Sequence, residues 1–367
     1  MTVAKVEAGV IQVPLIFLGL GNIGGTLLRQ ILSTREILAS RTGLRLVPVA
    51  VADVSGVLLA EEGLAESVLE AALQATANGG TLHALPGLRP LPELAVALRQ
   101  SAILSDLTAS PATAPVLWDA LDAGCGVVLA NKVPLAGPWA TSRAFLEHPL
   151  LRYEVTVGAG LPVIDALHYL RDTGDRVTLI EGCLSGTLGY LCAELERGMP
   201  YSTAVAQARA QGFTEPDPRD DLSGKDVARK SLILARTAGW TLEEASLTVE
   251  ALYPDSLASL STDEFLTATP MVDADYASRV AAAQAEGKVL RYVARVTAEG
   301  GTVGLVAVDR EGPLGALRGP ANYIALHTAR YDPVPMVISG PGAGREVTAA
   351  GVLGDIIKLA QRIVCRE

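Results

Sequence analysis

The chain has 367 residues, 49% of them hydrophobic, and a formal net charge of -10. That is material for roughly two globular domains, and so apolar a composition excludes a disordered chain. Lys and Arg are scattered along an acidic sequence, which excludes the clustered cations that nucleic-acid phosphates require, and no segment approaches the roughly 20 continuous apolar residues of a membrane span.

The N-terminal region, with Lys5 and then "AGVIQVPLIFLGLG", superficially imitates a signal peptide. The apolar run ends in a patterned glycine loop and not at a small-residue cleavage site, so it is read as a strand entering a turn. "VPLIFLGLGNIGGTLLRQIL" then predicts a buried strand at about Pro14 to Leu18, a glycine turn and a helix from about Ile23 to Leu32. A long connection, Ser33 to Arg45, leads to a second strand, "LRLVPVAVAD". The alternation continues with a helical stretch near residues 60 to 77, a strand at 102 to 107, a helix at 114 to 124 and a strand at 126 to 131. Apolar strands separated by helices predict parallel pairing with helices on both sheet faces, a doubly wound nucleotide-binding domain over residues 1 to 151.

"YEVTVGAGLPVIDALHYLRD" predicts a further strand, glycine turn and helix, and "RVTLIEGCLSGTLGYLCAEL" repeats that plan. Ala-rich helices extend to about Gly287, and strand-like runs follow at "VLRYVARV", "TVGLVAV" and "NYIALHT". These strands are few for an independent domain and could pair across a two-fold axis. Residues 152 to 338 are read as a second, α/β domain. Residues 339 to 367, from "SGPGAG", are a second glycine loop and a helix returning to the first domain.

Gly19, Gly21 and Gly24 form GxGxxG between the first strand and helix, where glycine permits a tight turn and a close approach of pyrophosphate to the helix amides. Asp53 ends the second strand, where a carboxylate accepts hydrogen bonds from an adenosine ribose. It favours NAD without excluding NADP; an ordinary turn aspartate before Ser55 and Gly56 is the alternative.

Among other chemistry-bearing residues, His83, His148, His168 and His327 fall in no metal-ligand spacing, and no GxSxG elbow occurs. Cys125, Cys183, Cys192 and Cys365 form no CxxC pair, which suits a reducing, cytoplasmic setting. Cys125 and Cys183 are candidate thioester nucleophiles in a rival aldehyde dehydrogenase, but are better read as core residues. Lys132 follows a parallel strand, at the carboxyl edge where such sheets bind ligands.

The stretch "GFTEPDPRDDLSGKDVARKSLILARTAGW" concentrates five carboxylates, four cations and two prolines between Glu215 and Lys230. Pro216 and Pro218 restrict Glu215 and Asp217 to extended or turn geometry, which suits a rigid acidic site for an ammonium group. From about Lys225 the pattern is an amphipathic helix with Asp226 and Lys230 on one face. Arg229 shares much of that environment, so spacing leaves the choice between the two cations open.

That stretch, with "LANKVPL", "YEVTVGAGLPVI", "LSGTLGYL" and "GPGAGREVTAAGVLGDI", closely resembles homoserine dehydrogenase from Gly19 to about Ile357. The resemblance implies reversible NAD(P)H-dependent reduction of L-aspartate 4-semialdehyde to L-homoserine, on the route to threonine, methionine and isoleucine. It implies that Glu215 and Asp221 bind the substrate ammonium, with Thr187 a further substrate contact. Asp226 and Lys230 would sit at the reacting carbonyl, and Lys132 between substrate and nicotinamide. Cofactor contacts are implied at Gly19, Gly21, Asn22, Ile23, Gly24, Asp53, Thr108, Lys132 and Gly342. "EVTVGAGL" resembles the family's structural monovalent cation site, for Na⁺, with the Glu154 carboxylate and the carbonyls of Val157, Ala159 and Leu161 as ligands. A homodimer is implied as well, with residues 152 to 338 as the catalytic and dimerisation domain. Val133 replaces the second lysine of the family's "NKKP", and Phe213 stands where relatives often have tyrosine. The chain ends soon after the last helix, so the regulatory ACT domain of many bacterial members is expected to be absent. Which lysine, or a water held by Asp226, moves the proton stays open. A lysine acting as base must lose a proton with a reference pKa of about 10.4, so homoserine oxidation is expected to rise towards alkaline pH.

Overall fold

The computed structural model describes Val6–Glu7 and residues 10–364; Lys5 and Cys365 lie outside them. The chain forms two compact units. One runs to Gly160 and resumes at Gly344, and the other is Leu161–Ala343.

The first unit contains β1 (Val6–Glu7), β2 (Val10–Leu18), α1 (Asn22–Thr42), β3 (Leu44–Asp53), β4 (Gly56–Leu59), α2 (Glu66–Ala75), β5 (Ile103–Asp106), α3 (Ala114–Asp122), β6 (Gly126–Leu129), α4 (Val133–Ala136), α5 (Trp139–Leu146) and β7 (Leu151–Arg152). Its sheet has the order β4-β3-β2-β5-β6-β7. Strands β3, β2, β5, β6 and β7 are parallel, while β4 is antiparallel at one edge. This is the expected Rossmann-type arrangement. Every residue of β5 and β6 is buried, which is why these strands carry no polar alternation.

Helix α1 continues ten residues past its expected end at Leu32, so the supposed loop from Ser33 is mostly helix. Thr34 and Thr42 donate to the carbonyls of Gln30 and Leu38, a local bond that keeps hydroxyl residues within a helix. Gly43, at φ +69°, ends the helix and donates to the Ala39 carbonyl. The "YEVTV" strand is also corrected: β7 stops at Arg152, and Glu154–Thr156 is a 3₁₀ turn.

The second unit contains α6 (Val163–Asp172), β8 (Val177–Cys183), α7 (Gly186–Glu196), α8 (Tyr201–Ala210), α9 (Arg219–Leu222), α10 (Lys225–Thr237), β9 (Leu247–Val249), α11 (Thr262–Ala268), α12 (Asp273–Ala285), β10 (Lys288–Thr297), β11 (Gly300–Asp309), β12 (Ala321–Thr328) and β13 (Met336–Pro341). Its sheet order is β13-β12-β8-β10-β11-β9. Within the chain β8 lies between β10 and β12 and joins these strands into one sheet. On one face Ile180, Ala294, Val296, Ile324 and Leu326 are buried. On the other, Cys183, Val293, Tyr323 and Ala325 form a smaller cluster with Leu314.

The chain then returns to the first unit as α13 (Arg345–Val364). Ala349, Val352, Ile356, Leu359 and Ile363 join Leu27, Leu28 and Ile31 in one core, each large side chain contributing about 1.5–3 kcal/mol when fully buried. Asp355, 1% exposed, accepts from Arg152 Nε at 2.7 Å and from the Glu154 amide at 2.8 Å. This tie keeps the segment after residue 151 in the first unit, whereas pairing of β13 with β12 keeps residues beyond 338 in the second. Asp355→Ala, which leaves the buried Glu154 amide and the Arg152 guanidinium without this acceptor, is expected to destabilise the first unit by about 3 kcal/mol, measured by urea unfolding. A loss below about 0.5 kcal/mol would show that the tie is dispensable.

Candidate active site

In the first unit the turn after β2 is built by glycine. A Cβ on Gly24 would lie 2.2 Å from the Gly19 carbonyl oxygen, so α1 can start this close to the strand only without a side chain there. A Cβ on Gly21 would meet nothing within 4 Å. Gly21 caps α1 without a side-chain acceptor, and the first turn, which begins at Asn22 and Ile23, has no acidic residue. A helix start with uncapped amides facing open space fits an anionic diphosphate.

Beside this turn lies a cleft of about 390 Å³ lined by Gly19, Ala52, Asp53, Val54, Thr108 and Thr113, among others. Asp53 stands at the end of β3 with its carboxylate engaged. Oδ1 accepts from the Ser55 amide at 2.7 Å and from its hydroxyl, and Oδ2 accepts from the Leu82 amide at 2.7 Å. Asp53 is thus a turn aspartate that also lines the cleft, with acceptor capacity left on Oδ2.

Sequence reasoning missed the group that organises the opposite wall. Asp106, 0% exposed at the end of β5, accepts from the Thr108 amide (3.0 Å), Thr108 Oγ1 (2.7 Å), Thr113 Oγ1 (2.7 Å) and Asn131 Nδ2 (3.0 Å). Asn131 also donates to the Ser110 carbonyl at 2.8 Å and accepts from the Val133 amide at 3.0 Å. Lys132 lies between the two bracketed positions, as the residue that enters α4. A carboxylate inside an apolar strand, "AILSD", and the asparagine before Lys132 were the available signals.

In the second unit the charged stretch divides its labour. Asp217 accepts from Arg219 Nη2 at 2.6 Å, and Arg219 Nη1 reaches the carbonyls of Leu257, Ala258 and Leu260. The Arg219 guanidinium holds the Asp217 carboxyl down at about 2, so this pair is charged throughout the neutral range and braces the loop. Asp221 faces inward. It accepts from the Glu215 amide at 2.8 Å and lies beside the Thr187 hydroxyl, whose one proton goes to the Phe213 carbonyl. Burial pushes the Asp221 carboxyl above its ordinary value despite these bonds. Glu215 is exposed, Asp226 half-buried, and the Phe213 ring packs on Tyr190 at 4.9 Å.

Gly224 makes the corner between α9 and α10 at φ +70°, and a Cβ there would lie 1.9 Å from the Tyr292 hydroxyl. This corner sets the register of α10, whose Val227, Ala228, Ser231 and Leu232 are buried. Arg229 falls on the exposed side, whereas the Lys230 side chain is only 13% exposed. Its Nζ donates to Asp226 Oδ2 at 2.9 Å and to the Leu184 carbonyl at 2.8 Å. An ammonium has three donors, so one N–H remains for a third acceptor.

Gly342 belongs to the second unit. Glu154, Val157 and Ala159 are buried, with Ala159 left-handed at φ +55°. The Leu161 carbonyl accepts from the Val163 amide at 2.8 Å. No cluster of three or more His, Cys, Asp or Glu able to hold a metal occurs among the described residues. Burial raises the thiols of Cys125 and Cys192 to about 11 and that of Cys183 to about 12, which makes them core residues and poor nucleophiles. No helix among the described residues is long and apolar enough to cross a membrane.

Comparison with known proteins agrees with both halves of this arrangement. The family model described as homoserine dehydrogenase matches residues 162–357, and that described as homoserine dehydrogenase, NAD binding domain, matches 19–148. The chain is 42% identical over 279 residues to a homoserine dehydrogenase of Paracoccidioides brasiliensis, covering 71% of this chain and 75% of the relative. It is 40% identical over 357 residues to a chloroplastic bifunctional aspartokinase/homoserine dehydrogenase 2 of Zea mays, covering 94% of this chain and 38% of the relative. It spans about two-fifths of the length of such bifunctional relatives. A crystal structure of a Candida auris protein of unknown function superposes with a TM-score of 0.85 at 35% identity, covering 96% of this chain and 99% of the other.

Proposed function

Since the chain belongs to the homoserine dehydrogenase family, we propose that it catalyses the reversible NAD(P)H-dependent reduction of L-aspartate 4-semialdehyde to L-homoserine. The observation that carries this reading is the Lys230 ammonium, fixed by Asp226 and the Leu184 carbonyl with one donor left. A nicotinamide cofactor bound beside this lysine would supply the hydride for the aldehyde carbon. The oxygen then gains negative charge, and the third N–H of Lys230 stabilises it and provides a proton source. Asp221 and Glu215 hold the substrate ammonium, with the Glu215 amide orienting the Asp221 carboxylate. Lys132, bracketed by Asn131, acts between substrate and nicotinamide.

Asn22, Ile23 and Gly24, at the uncapped start of α1, would hold the cofactor diphosphate, and Asp53 and Thr108 would flank its adenosine side. Among the described residues the cleft is lined by Asp53 and Asp119 and by no Lys or Arg, which supports NAD over the extra phosphate of NADP. Glu154, Val157, Ala159 and Leu161 are the all-oxygen ligand set of a structural Na⁺. The chain acts in the cytoplasm as a homodimer. Support for assembly is the sheet face opposite the buried Ile180 and Ile324, where a cleft is lined by Glu181, Arg295, Ala307, Tyr323 and His327.

Incubation with L-homoserine and NAD⁺ or NADP⁺, followed by absorbance of the reduced cofactor, is expected to show turnover with preference for NAD⁺. Silence with both cofactors across pH would count decisively against the reading. Lys230→Ala and Lys132→Ala are expected to lose about 10² to 10⁴ in kcat, and near-normal turnover in both would sink the assignment. Because the Asp221 carboxyl is raised, it becomes neutral at higher pH than an ordinary aspartate. The acid limb of kcat/KM should therefore fall from above the usual value of 3.8 and vanish in Asp221→Asn. Replacing Na⁺ with choline is expected to lower the thermal midpoint by a few degrees, and an unchanged midpoint argues against the cation site. Sedimentation equilibrium should give twice the chain mass at micromolar concentration; a monomer would refute the dimer.

A further inference from the structure

Asn322, near the start of β12, is 0% exposed, yet neither Oδ1 nor Nδ2 of its side chain has a hydrogen-bond partner among the described residues. Its backbone is ordinarily engaged: Ser339 Oγ donates to its carbonyl at 2.9 Å, and it pairs in register with Gly340 of β13. On its other side Tyr323 stands opposite Cys183 in β8, which brings Asn322 to the strand end beside Leu184. The Leu184 carbonyl is the group that holds Lys230 Nζ. A Cβ on Gly342 would come within 2.0–2.2 Å of Asn322 Cγ, Oδ1 and Nδ2, so the Gly342 backbone lies directly on the carboxamide.

Burying an amide with its donors and acceptor unmade costs free energy comparable to the hydrogen bonds forgone, and leucine would occupy similar volume without that cost. A second state in which the amide is paired accounts for asparagine here. The partner has to supply both a donor and an acceptor. A carboxylate only accepts, and would face Oδ1 with like charge, whereas a primary carboxamide satisfies Oδ1 and Nδ2 together in one plane. The reaction proposed above brings such a group, because the nicotinamide ring carries a carboxamide and has to stand beside the carbon that Lys230 serves. Resting on that reading, we propose that Asn322 recognises the nicotinamide carboxamide and orients the ring, the Gly342 backbone moving off the side chain as the ring binds.

Equilibrium binding and thermal unfolding of the full chain test this. The unsubstituted chain should bind NADH more tightly than the analogue whose carboxamide is replaced by an acetyl group. Asn322→Leu should bind the two alike, lose about tenfold in NADH affinity and keep its affinity for ADP-ribose. Without ligand, Asn322→Leu should unfold at a temperature no lower than the unsubstituted chain, since the unpaired atoms are gone; Asn322→Ser serves if the leucine variant does not fold. The proposal is overturned if the variant still discriminates against the acetyl analogue, or if ADP-ribose affinity falls along with NADH. It is equally overturned if KM for homoserine rises while NADH affinity stays intact, which would turn the amide towards substrate. Failure of the unsubstituted chain to bind NADH would remove the functional reading too, whereas normal binding with no effect at Asn322 removes only this proposal.

Discussion

An ammonium group withdrawn from water can persist as a charge only if its donors are matched, and in this chain that constraint falls on Lys230. Two acceptors of different origin meet it: the carboxylate of Asp226, one helical turn away, and the Leu184 carbonyl beyond the end of β8. Because one acceptor is helix and the other follows a sheet strand, the ammonium position requires α10 and β8 to be in fixed register. Gly224 sets where α10 begins, and the buried row from Val227 to Leu232 sets its rotation. The acidic loop ahead of it is held separately, through the Asp217–Arg219 pair and three backbone carbonyls. Five nearby carboxylates thus avoid competing for the same cation.

The first unit solves the complementary problem, a buried carboxylate whose hydrogen-bond donors among the described residues are all neutral. Asp106 is satisfied by four hydrogen bonds from neutral groups, three of them side chains on the loops after β5 and β6. Such a network is rigid because every member is spoken for, and Asn131 spends its remaining capacity on the residues around Lys132. The two lysines are therefore placed by different physics, one by ion pairing and one by a loop frozen around it.

The parallel strands, the glycine turn and the amphipathic face of α10 were legible because each leaves a periodic trace in sequence. The extent of α1 was misjudged because Ser33 and Thr34 look like loop residues, although Thr34 bonds back to Gln30 and Gly43 marked the true end. The strand at Tyr153 failed for a tertiary reason: Asp355, about two hundred residues away, captures the Glu154 amide that a longer strand would have used. Strand β13 was hidden because "SGPG" reads as a turn unless the partner strand β12 is known. Lys230 and Arg229 were indistinguishable by spacing and were separated only by burial. Asp106 and Asn131 left only weak local signals and Asn322 none, since their importance lies in which atoms surround them.

The position of α13 has a bearing on how the chain is made. The core of the first unit closes only when Ala349, Val352 and Ile356 reach Leu27, Leu28 and Ile31. During vectorial synthesis the sheet of the first unit therefore emerges with an apolar flank that stays uncovered until α13, beyond the whole second unit, has been translated. The second unit, by contrast, is one continuous segment whose sheet is complete once β13 has left the ribosome. Of the two units, the one whose synthesis starts earlier is thus the later to finish folding, and it is the more exposed to misfolding while it waits.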